Sequence, residues 1–272
     1  MTSRVVRIRR PTVVKLGGEL VQNRTQLRRL ARSLADLGAR EPLVVVHGGG
    51  REVDAEMMSL GLQKRTVDGL RVTDDATLNV VVGVLAGRVN TRLVAALGAV
   101  GASAVGLTGA DASLAPVRRE RTYRAADGRT VDLGYVGRPH DTGQPTVLLD
   151  LLKAGHMPVV ASISAGPRGQ LFNVNADTLA GHLAGRLRAR RFVIAGGTAG
   201  VLDPTGRTIP VVNNAAVTHL ITKGAANAGM VAKLLACRAA LRHGVGEVAI
   251  INGLNPRRGL FDRTVSATVI TQ

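Results

Sequence analysis

Short apolar runs rich in β-branched residues and bounded by glycine alternate with amphipathic helical patterns along almost the whole sequence. The runs predict strands at residues 12–15, 43–46, 104–107, 158–162, 192–195, near 208–212, 247–251 and 265–270. The helical patterns lie at residues 26–37, about 52–60, 74–100, 147–154, 176–188, 215–223 and 230–243. This alternation predicts an α/β fold, in which helices cover both faces of a mainly parallel central sheet as a three-layer αβα sandwich.

One segment breaks the alternation. Two extended runs, 115–123 and 130–136, flank Ala126-Asp127-Gly128, and Asp-Gly between extended runs predicts a β-hairpin. The hairpin is rich in arginine, with Arg118, Arg119, Arg121, Arg124 and Arg129. It therefore presents a locally basic surface.

The domain organisation is simple. The 272 residues contain no linker rich in proline or serine, which predicts one continuous domain, 1–272, with two lobes that meet near residue 165. The longest apolar stretch, 78–87, is about half the roughly 20 residues that cross a bilayer, so no membrane segment is predicted. Cys237 is the only cysteine, which excludes an intramolecular disulfide and a cysteine-based zinc site and favours a cytoplasmic setting.

The formal charge of +17 comes from 36 basic and 19 acidic residues. Only five of the basic residues are lysines, and a solvated basic surface without a partner explains most of the arginines. The positive field nevertheless favours anionic ligands such as nucleotides, carboxylates or an acidic protein. Aromatic residues make up only 2% of the chain, which argues against a protein that stacks nucleic-acid bases.

Two glycine clusters directly follow predicted strands. The first is Lys15-Leu16-Gly17-Gly18 and the second is His47-Gly48-Gly49-Gly50. Ligands of parallel sheets bind at the carboxyl ends of the strands, where glycine lets backbone N–H groups approach an anion closely. One cluster alone is better explained as a tight turn, but two clusters, the first with a lysine, favour phosphate binding. The sequence has neither a P-loop motif nor a dinucleotide-binding motif, so the phosphate would be held in another way.

Eight segments, two of which contain these glycine clusters, strengthen this interpretation through their order and spacing: VVKLGG (13–18), VVVHGGG (44–50), VDGLRVTD (67–74), AVGLTGAD (104–111), VDLGYVG (131–137), FNVNADTLAG (172–181), AGVLD (199–203) and GMVAK (229–233). Together they resemble the amino-acid kinase family, and within it the N-acetylglutamate kinases, over essentially the whole chain. The resemblance implies a lobe for the acyl substrate and dimer contacts over approximately 1–165, and a nucleotide lobe over approximately 166–272.

The resemblance assigns catalytic roles to three residues. Lys15 and Lys233 match the lysines that flank the migrating phosphoryl group and stabilise its charge, and Asp177 matches the aspartate that orients them. Gly17, Gly18 and Gly49 match backbone donors around the phosphates. The remaining lysines, Lys64, Lys153 and Lys223, are expected to be ordinary surface charges.

The same resemblance assigns the acyl-substrate site. Arg71 matches the guanidinium that holds the substrate carboxylate, Asn173 matches a side chain that contacts the same ligand, and Gly49 and Gly50 line the site. For Arg71 a surface ion pair is the alternative reading. His47 is expected to be a structural turn residue rather than a base. The resemblance also implies ATP with Mg²⁺, the metal being held largely by the phosphates.

The chain departs from the family pattern in the segment after the predicted strand at 192–195, which the resemblance assigns to the nucleotide site. Where the family has Leu-Thr/Ser-Asp before Val-x-Gly-Val, this chain has Ala195-Gly196-Gly197-Thr198, and the aspartate is absent. A smaller departure is Ala228 before Gly229-Met230, where the family often has glycine or aspartate.

The resemblance implies phosphorylation of the side-chain carboxylate of N-acetyl-L-glutamate in arginine biosynthesis. Two alternatives stay open at the level of sequence. One is a kinase whose amino-acid substrate is attached to an acidic carrier protein, as in lysine biosynthesis, which the basic hairpin favours. The other is a non-catalytic regulatory homologue, which the missing aspartate favours. The family also implies a homodimer, and the short segment before the first strand predicts no hexamer and no feedback inhibition by arginine.

Overall fold

The computed structural model describes residues 9–125, 128–140, 145–223, 226–254 and 267–272. Its helices are α1 (Arg24–Gly38), α2 (Gly50–Ser59), α3 (Asp75–Val82), α4 (Asn90–Gly98), α5 (Thr146–Lys153), α6 (Ala176–Arg186), α7 (Asn214–Thr222) and α8 (Ala228–Arg242). A π-helical segment (Gly83–Val89) joins α3 to α4, and 3₁₀ turns lie at Gly18–Leu20, Asp111–Ser113 and Pro167–Gly169.

The strands of the central sheet follow the apolar runs of the sequence, and the other strands are two or three residues long. They are β1 (Thr12–Leu16), β2 (Leu43–His47), β3 (Thr66–Val67), β4 (Leu70–Arg71), β5 (Ala104–Thr108), β6 (Val117–Arg119), β7 (Tyr123–Arg124), β8 (Thr130–Val131), β9 (Gly137–Pro139), β10 (Met157–Ala161), β11 (Ile163–Ala165), β12 (Leu171–Asn173), β13 (Arg191–Gly196), β14 (Val211–Val212), β15 (Glu247–Asn252) and β16 (Ala267–Ile270). The first two residues of the predicted terminal strand, 265 and 266, lie outside the described residues.

Eight strands form one central sheet in the order β14-β16-β15-β13-β1-β2-β10-β5. Every neighbouring pair is parallel except β15 and β16, which are antiparallel. Lys15 of β1 lies beside Val46 of β2 and Ile194 of β13 in the register. The prediction of a mainly parallel sheet is therefore confirmed, and the carboxyl ends of β1, β2 and β13 lie side by side at one edge.

Apolar clusters cover both faces of the sheet. Successive residues of β1 point to opposite faces, so that Val13 belongs to one cluster and Val14 to the other. The first cluster includes residues of α5, α6, α7 and α8, and the second includes residues of α1, α2, α3 and α4. The molecule is thus a three-layer αβα sandwich, as predicted, and burial on both faces explains why its central strands read as continuous apolar runs.

The long helix predicted at 74–100 is a continuous helical run from Asp75 to Gly98, interrupted by the π-helical segment. By length and composition alone this run could cross a membrane. Its side chains Val81, Leu85 and Leu93 are nevertheless buried in the second core cluster, against the sheet and α1. This is the packing of a core helix in a globular domain.

The arginine-rich segment forms the predicted hairpin in two ladders. β7 pairs antiparallel with β8, and β6 pairs antiparallel with β9. Gly128 has φ +86°, a left-handed conformation that glycine adopts without strain. The other two turn residues, Ala126 and Asp127, lie outside the described residues.

Candidate active site

Three charged side chains from distant parts of the chain meet at the carboxyl edge of the sheet. Lys15 Nζ lies 2.9 Å from Asp177 Oδ1, and Lys233 Nζ lies 3.7 Å from Asp177 Oδ2. The side chains of Lys15 and Asp177 are each only 8% exposed. Asp177 Oδ1 has no hydrogen-bond partner of good geometry, so its contact with Lys15 is a close ion pair. The structure therefore brings together the three predicted catalytic residues, two cations around one carboxylate.

Local sequence explains how these side chains are placed. Lys15 is the fourth residue of β1, and Asp177 lies in the first turn of α6. The side chain of Asn175 caps this helix by accepting a hydrogen bond from the backbone N–H of Thr178, at 3.0 Å. The first turn of a helix favours a negative charge, so the fold stabilises Asp177 before any ligand arrives.

Lys233 reaches the same point from α8. The side chain of Asn227 caps α8 by accepting from the N–H of Met230 at 2.9 Å, and Lys233 Nζ donates to the carbonyl oxygen of Gly229 at 3.2 Å. α6 and α8 pack closely because Gly181 faces Ala236. A Cβ at position 181 would lie 2.9 Å from the Ala236 carbonyl oxygen, so only glycine allows this approach.

The two glycine clusters pack against each other beside the lysines. A Cβ on Gly18 would lie 3.1 Å from Gly49 Cα and 3.3 Å from the amide nitrogen of Gly50. Beneath them, a Cβ on Gly49 would lie 2.8 Å from Leu85 Cδ2 in the π-helical segment. A side chain at Gly18 would press on the backbone of the second glycine cluster, whereas one at Gly49 would press on the side chains of Leu85 and Val89.

Gly17 differs from the other predicted phosphate donors. Its backbone N–H donates to the carbonyl oxygen of Ala195 at 2.8 Å, which extends the β1–β13 ladder by one hydrogen bond. This N–H is therefore engaged in the sheet, and the donor role expected of Gly17 is not available in the structure. The physical reason is the parallel register, in which Leu16 lies beside Ala195.

His47 ends β2 and is completely buried. Its Nδ1 lies 3.0 Å from the carbonyl oxygen of Gly48, and its Nε2 lies 3.0 Å from Asn90 Nδ2, which also donates to the carbonyl oxygen of Val159. Burial lowers the pKa of His47 to about 4. The imidazole is therefore neutral at pH 7 and positions the second glycine cluster, as expected of a structural residue.

Arg71 lies in a cleft of about 360 Å³ between the glycine clusters and the β3–β4 hairpin, lined in part by Gly18, Gly50, Asp54, Lys64 and Thr66. Its guanidinium donates to Asp54 Oδ1 and, at 3.3 Å, to the carbonyl oxygen of Gly50. Lys64 Nζ donates to the other oxygen of Asp54 at 2.7 Å.

The cleft therefore contains a row of alternating charges, Arg71, Asp54 and Lys64. Burial raises the pKa of Asp54, but hydrogen bonds from Lys64 and Arg71 outweigh this effect and hold the pKa below its usual value. Lys64 was expected to be an ordinary surface charge. The structure instead places it in the cleft, although its side chain is half exposed.

Asn173 is linked to Arg71 through one threonine. Asn173 Nδ2 donates to Thr73 Oγ1 at 3.2 Å, and Thr73 Oγ1 donates to the carbonyl oxygen of Arg71 at 3.0 Å. Thr73 is fully buried, so this chain of hydrogen bonds is shielded from water. The structure thus connects both residues that were predicted to bind the acyl substrate.

Sequence reasoning missed Asp54, Lys64 and Thr73. Thr73 lies within the segment VDGLRVTD (67–74), which carries the resemblance. Asp54 lies four residues after Gly50, which ends the segment VVVHGGG (44–50). Asp54 lies on α2, which begins in the second glycine cluster. A carboxylate at this position is a signal that could have identified Asp54 as the partner of Arg71.

Comparisons with known proteins identify the family of this chain. The family model described as "Amino acid kinase family" matches residues 10–252. Acetylglutamate kinase of Methanopyrus kandleri is 43% identical over 92% of this chain and 99% of its own length. Acetylglutamate kinase of Acidiphilium cryptum is 39% identical over 92% of this chain and 85% of its own length.

Among solved structures, N-acetylglutamate synthase of Neisseria gonorrhoeae, in complex with coenzyme A and N-acetyl-glutamate, superposes with a TM-score of 0.82 at 25% identity. The match covers 97% of this chain and 59% of the synthase chain, which is longer. With a family model over most of its length and relatives near 40% identity, this chain belongs to the amino acid kinase family.

Proposed function

We propose that this protein transfers the γ-phosphoryl group of ATP to the side-chain carboxylate of N-acetyl-L-glutamate, giving an acyl phosphate and ADP in arginine biosynthesis. The arrangement of Lys15, Asp177 and Lys233 beside two packed glycine clusters is the observation that carries the proposal. The relatives named acetylglutamate kinase match this chain over almost its whole length, which supports N-acetyl-L-glutamate as the substrate.

The reaction needs cations rather than a base. A carboxylate nucleophile is already ionised at pH 7, so no residue has to remove a proton from it. The charge on the oxygens of the migrating phosphoryl group has to be stabilised, and two lysine ammonium groups suit this task. The carboxylate of Asp177 forms ion pairs with both Nζ atoms, which limits the motion of the lysine side chains before substrates bind.

The acyl substrate would occupy the cleft of Arg71. A guanidinium binds a carboxylate through two parallel hydrogen bonds, and Arg71 is already oriented by Asp54. Gly49, Gly50 and Asn173 would complete this site. In this scheme the lobe at 1–165 holds the acyl substrate and the lobe at 166–272 holds the nucleotide, with one catalytic lysine on each.

Membership of the family implies the use of ATP. Within the described ranges, no group of three or more His, Cys, Asp or Glu side chains is arranged to hold a metal ion. We therefore propose that Mg²⁺ enters with ATP and is held by its phosphates, neutralising part of their charge.

The experiment that tests this function measures ADP release and traps the acyl phosphate with hydroxylamine. Purified protein receives Mg-ATP with N-acetyl-L-glutamate, L-glutamate or N-acetyl-L-aspartate. We expect hydroxamate only with N-acetyl-L-glutamate, in amounts equal to ADP. Nucleotide and N-acetyl-L-glutamate binding without ADP release would instead support a regulatory homologue.

A carrier-linked substrate is the second proposal. Arg118, Arg121 and Arg124 are exposed on the β6–β9 hairpin and could contact an acidic carrier protein. A carrier-dependent enzyme would be inactive on free N-acetyl-L-glutamate and would turn over an acidic carrier conjugate in a strongly salt-dependent manner. Activity on the free substrate that is insensitive to salt would exclude it.

We expect the protein in the cytoplasm. We further propose a homodimer whose interface is the surface formed by α2 and the π-helical segment. Met58 and Leu60 at the end of α2 are 77% and 59% exposed, which is high for large apolar residues. Arg88 of the π-helical segment donates to Glu56 of α2 at 2.7 Å, so the two elements form one surface.

A further inference from the structure

The loop that follows β13 has no carboxylate at residues 195–198, although the resemblance implies an aspartate where Gly197 stands. A carboxylate from elsewhere nevertheless lies there. Glu19, in the 3₁₀ turn after the first glycine cluster, accepts a hydrogen bond from the backbone N–H of Gly197 at 2.6 Å through its Oε1 atom. The two residues are separated by 178 positions in the sequence.

Three glycines lie next to the Glu19 side chain. A Cβ on Gly17 would lie 2.5 Å from Glu19 Oε1, one on Gly196 would lie 3.3 Å from it, and one on Gly197 would lie 3.5 Å from it. A side chain at Gly17 would displace the carboxylate, one at Gly196 would touch it closely, and one at Gly197 would be in ordinary van der Waals contact with it. The carboxylate of Glu19 thus lies against Gly196 and Gly197, the two positions where the resemblance implies Ser/Thr and Asp.

The hydrogen bond completes the restraint of one peptide group. The carbonyl oxygen of Gly196 accepts from the N–H of Gly253 at 2.8 Å, and the N–H of Gly197 donates to Glu19. These two groups belong to the same planar peptide unit, so its orientation is held from both sides. Between two glycines, which have little intrinsic conformational preference, such a restraint has a large effect.

The position of Glu19 also relates it to the catalytic cation. The point where a Cβ of Gly196 would lie is 3.3 Å from Glu19 Oε1 and 4.0 Å from Lys233 Cε. The carboxylate and the lysine stem therefore approach the same side of the loop. Glu19 also borders the cleft that holds Arg71, between the two glycine clusters.

We infer that Glu19 supplies, from the β1 side of the site, the carboxylate that the nucleotide loop lacks, and that it is a positioning residue for nucleotide binding. The inference rests on the proposed kinase function. By holding the Gly196–Gly197 peptide, Glu19 fixes the shape of the loop that follows β13 before ATP binds. Its loss leaves this loop free to reorient and weakens nucleotide binding, while the acyl-substrate cleft keeps its own contacts.

The test is a double-mutant cycle read out by nucleotide binding. The variants are Glu19→Ala, Gly197→Asp and the two combined, with Glu19→Gln as a milder change that keeps an acceptor oxygen. Gly197 does not have positive φ, so its backbone accepts aspartate. Calorimetry with the non-hydrolysable analogue adenylyl imidodiphosphate and Mg²⁺ gives Kd without requiring turnover. Steady-state kinetics then separate KM for ATP from KM for N-acetyl-L-glutamate.

We expect Glu19→Ala to raise Kd for the analogue by about tenfold, the loss of one hydrogen bond to a charged group. KM for N-acetyl-L-glutamate should change less than about threefold. Glu19→Gln should lie between wild type and Glu19→Ala. Gly197→Asp alone should weaken binding, because its carboxylate would meet Glu19, whereas the same change in the Glu19→Ala background should strengthen binding.

Gly197→Asp is thus expected to change Kd in opposite directions in the two backgrounds. A purely structural role of Glu19 would not produce this reversal. The matched control is Glu247→Ala, which removes a glutamate paired with Arg191 at the opposite end of the same sheet and should leave Kd unchanged. Equal analogue binding by wild type and Glu19→Ala, or the same effect of Gly197→Asp in both backgrounds, would overturn the inference while the kinase function stands. A wild-type protein that does not bind the analogue would overturn both.

Discussion

The carboxylate of Asp54 accepts a hydrogen bond from the guanidinium of Arg71 and helps to hold it in the cleft. We therefore expect Asp54 to affect the affinity for the acyl substrate. Asp54→Asn should leave Arg71 without its charged partner, so that KM for N-acetyl-L-glutamate rises about tenfold while kcat falls less than threefold. Steady-state kinetics with saturating ATP measure both. Asp150→Asn, which removes an exposed partner of Lys153, is the control. A lower kcat with unchanged KM would show that Asp54 acts elsewhere.

A second residue makes the stability of the fold depend on pH. His47 is neutral in the folded protein because its pKa is lowered to about 4, whereas in the unfolded chain it takes up a proton near pH 6.5. The unfolded state therefore binds more protons between these values, and stability is lost as pH falls from 6.5 to 4. The full shift corresponds to about 3 kcal/mol. Urea unfolding at pH 7.5 and 5 should show a larger loss for wild type than for His47→Gln; equal losses would contradict this.

Single residues also show where sequence reasoning reached its limit. Lys15, Asp177 and Lys233 could be identified because each lies in a motif of its own, and the structure brings them together. Glu19 could not be identified, because its role depends on a hydrogen bond to a residue 178 positions away. The engaged N–H of Gly17 has the same cause, since strand register is a property of the assembled sheet.

At the scale of elements, the N-terminal cap of α6 by Asn175 affects both the stability of the fold and the position of a catalytic residue. Asn175→Ala removes the acceptor for the Thr178 N–H and should cost about 1 kcal/mol of unfolding free energy. Because Asp177 lies in the first turn of the same helix, kcat should also fall. Asn213→Ala removes the corresponding cap of α7 and should cost similar stability without changing kcat. Urea unfolding and steady-state kinetics on both variants check this, and equal kcat values would contradict the link.

The central strands were predictable because they are short apolar runs rich in β-branched residues, and the helices because of their amphipathic patterns. Most bounds agree to within about two residues. The π-helical segment Gly83–Val89 was not predicted, because its apolar spacing continues that of the flanking α3 and α4. The strand order was not predicted either. The position of β1 between β2 and β13 depends on pairing between segments that lie far apart in the sequence.

At the scale of the whole molecule, the exposed apolar end of α2 tests the proposed homodimer. Met58→Glu combined with Leu60→Glu should shift the protein from dimer towards monomer, because charged side chains oppose burial of this surface. Light scattering after size-exclusion chromatography measures the mass. Val211→Glu, at the β14 edge of the sheet, changes an exposed apolar residue elsewhere and should leave the mass unchanged. A monomeric wild type, or a hexamer, would contradict the proposal.

The measurement that most directly tests the central claim compares three lysines in the hydroxamate assay. Lys15→Met and Lys233→Met each remove a charge beside Asp177, and Lys153→Met removes an exposed charge paired with Asp150. With Mg-ATP and N-acetyl-L-glutamate, both site variants should lose at least about a hundredfold in kcat while still binding N-acetyl-L-glutamate, and the control should match wild type. Turnover within about tenfold of wild type in either site variant would contradict phosphoryl transfer between these lysines.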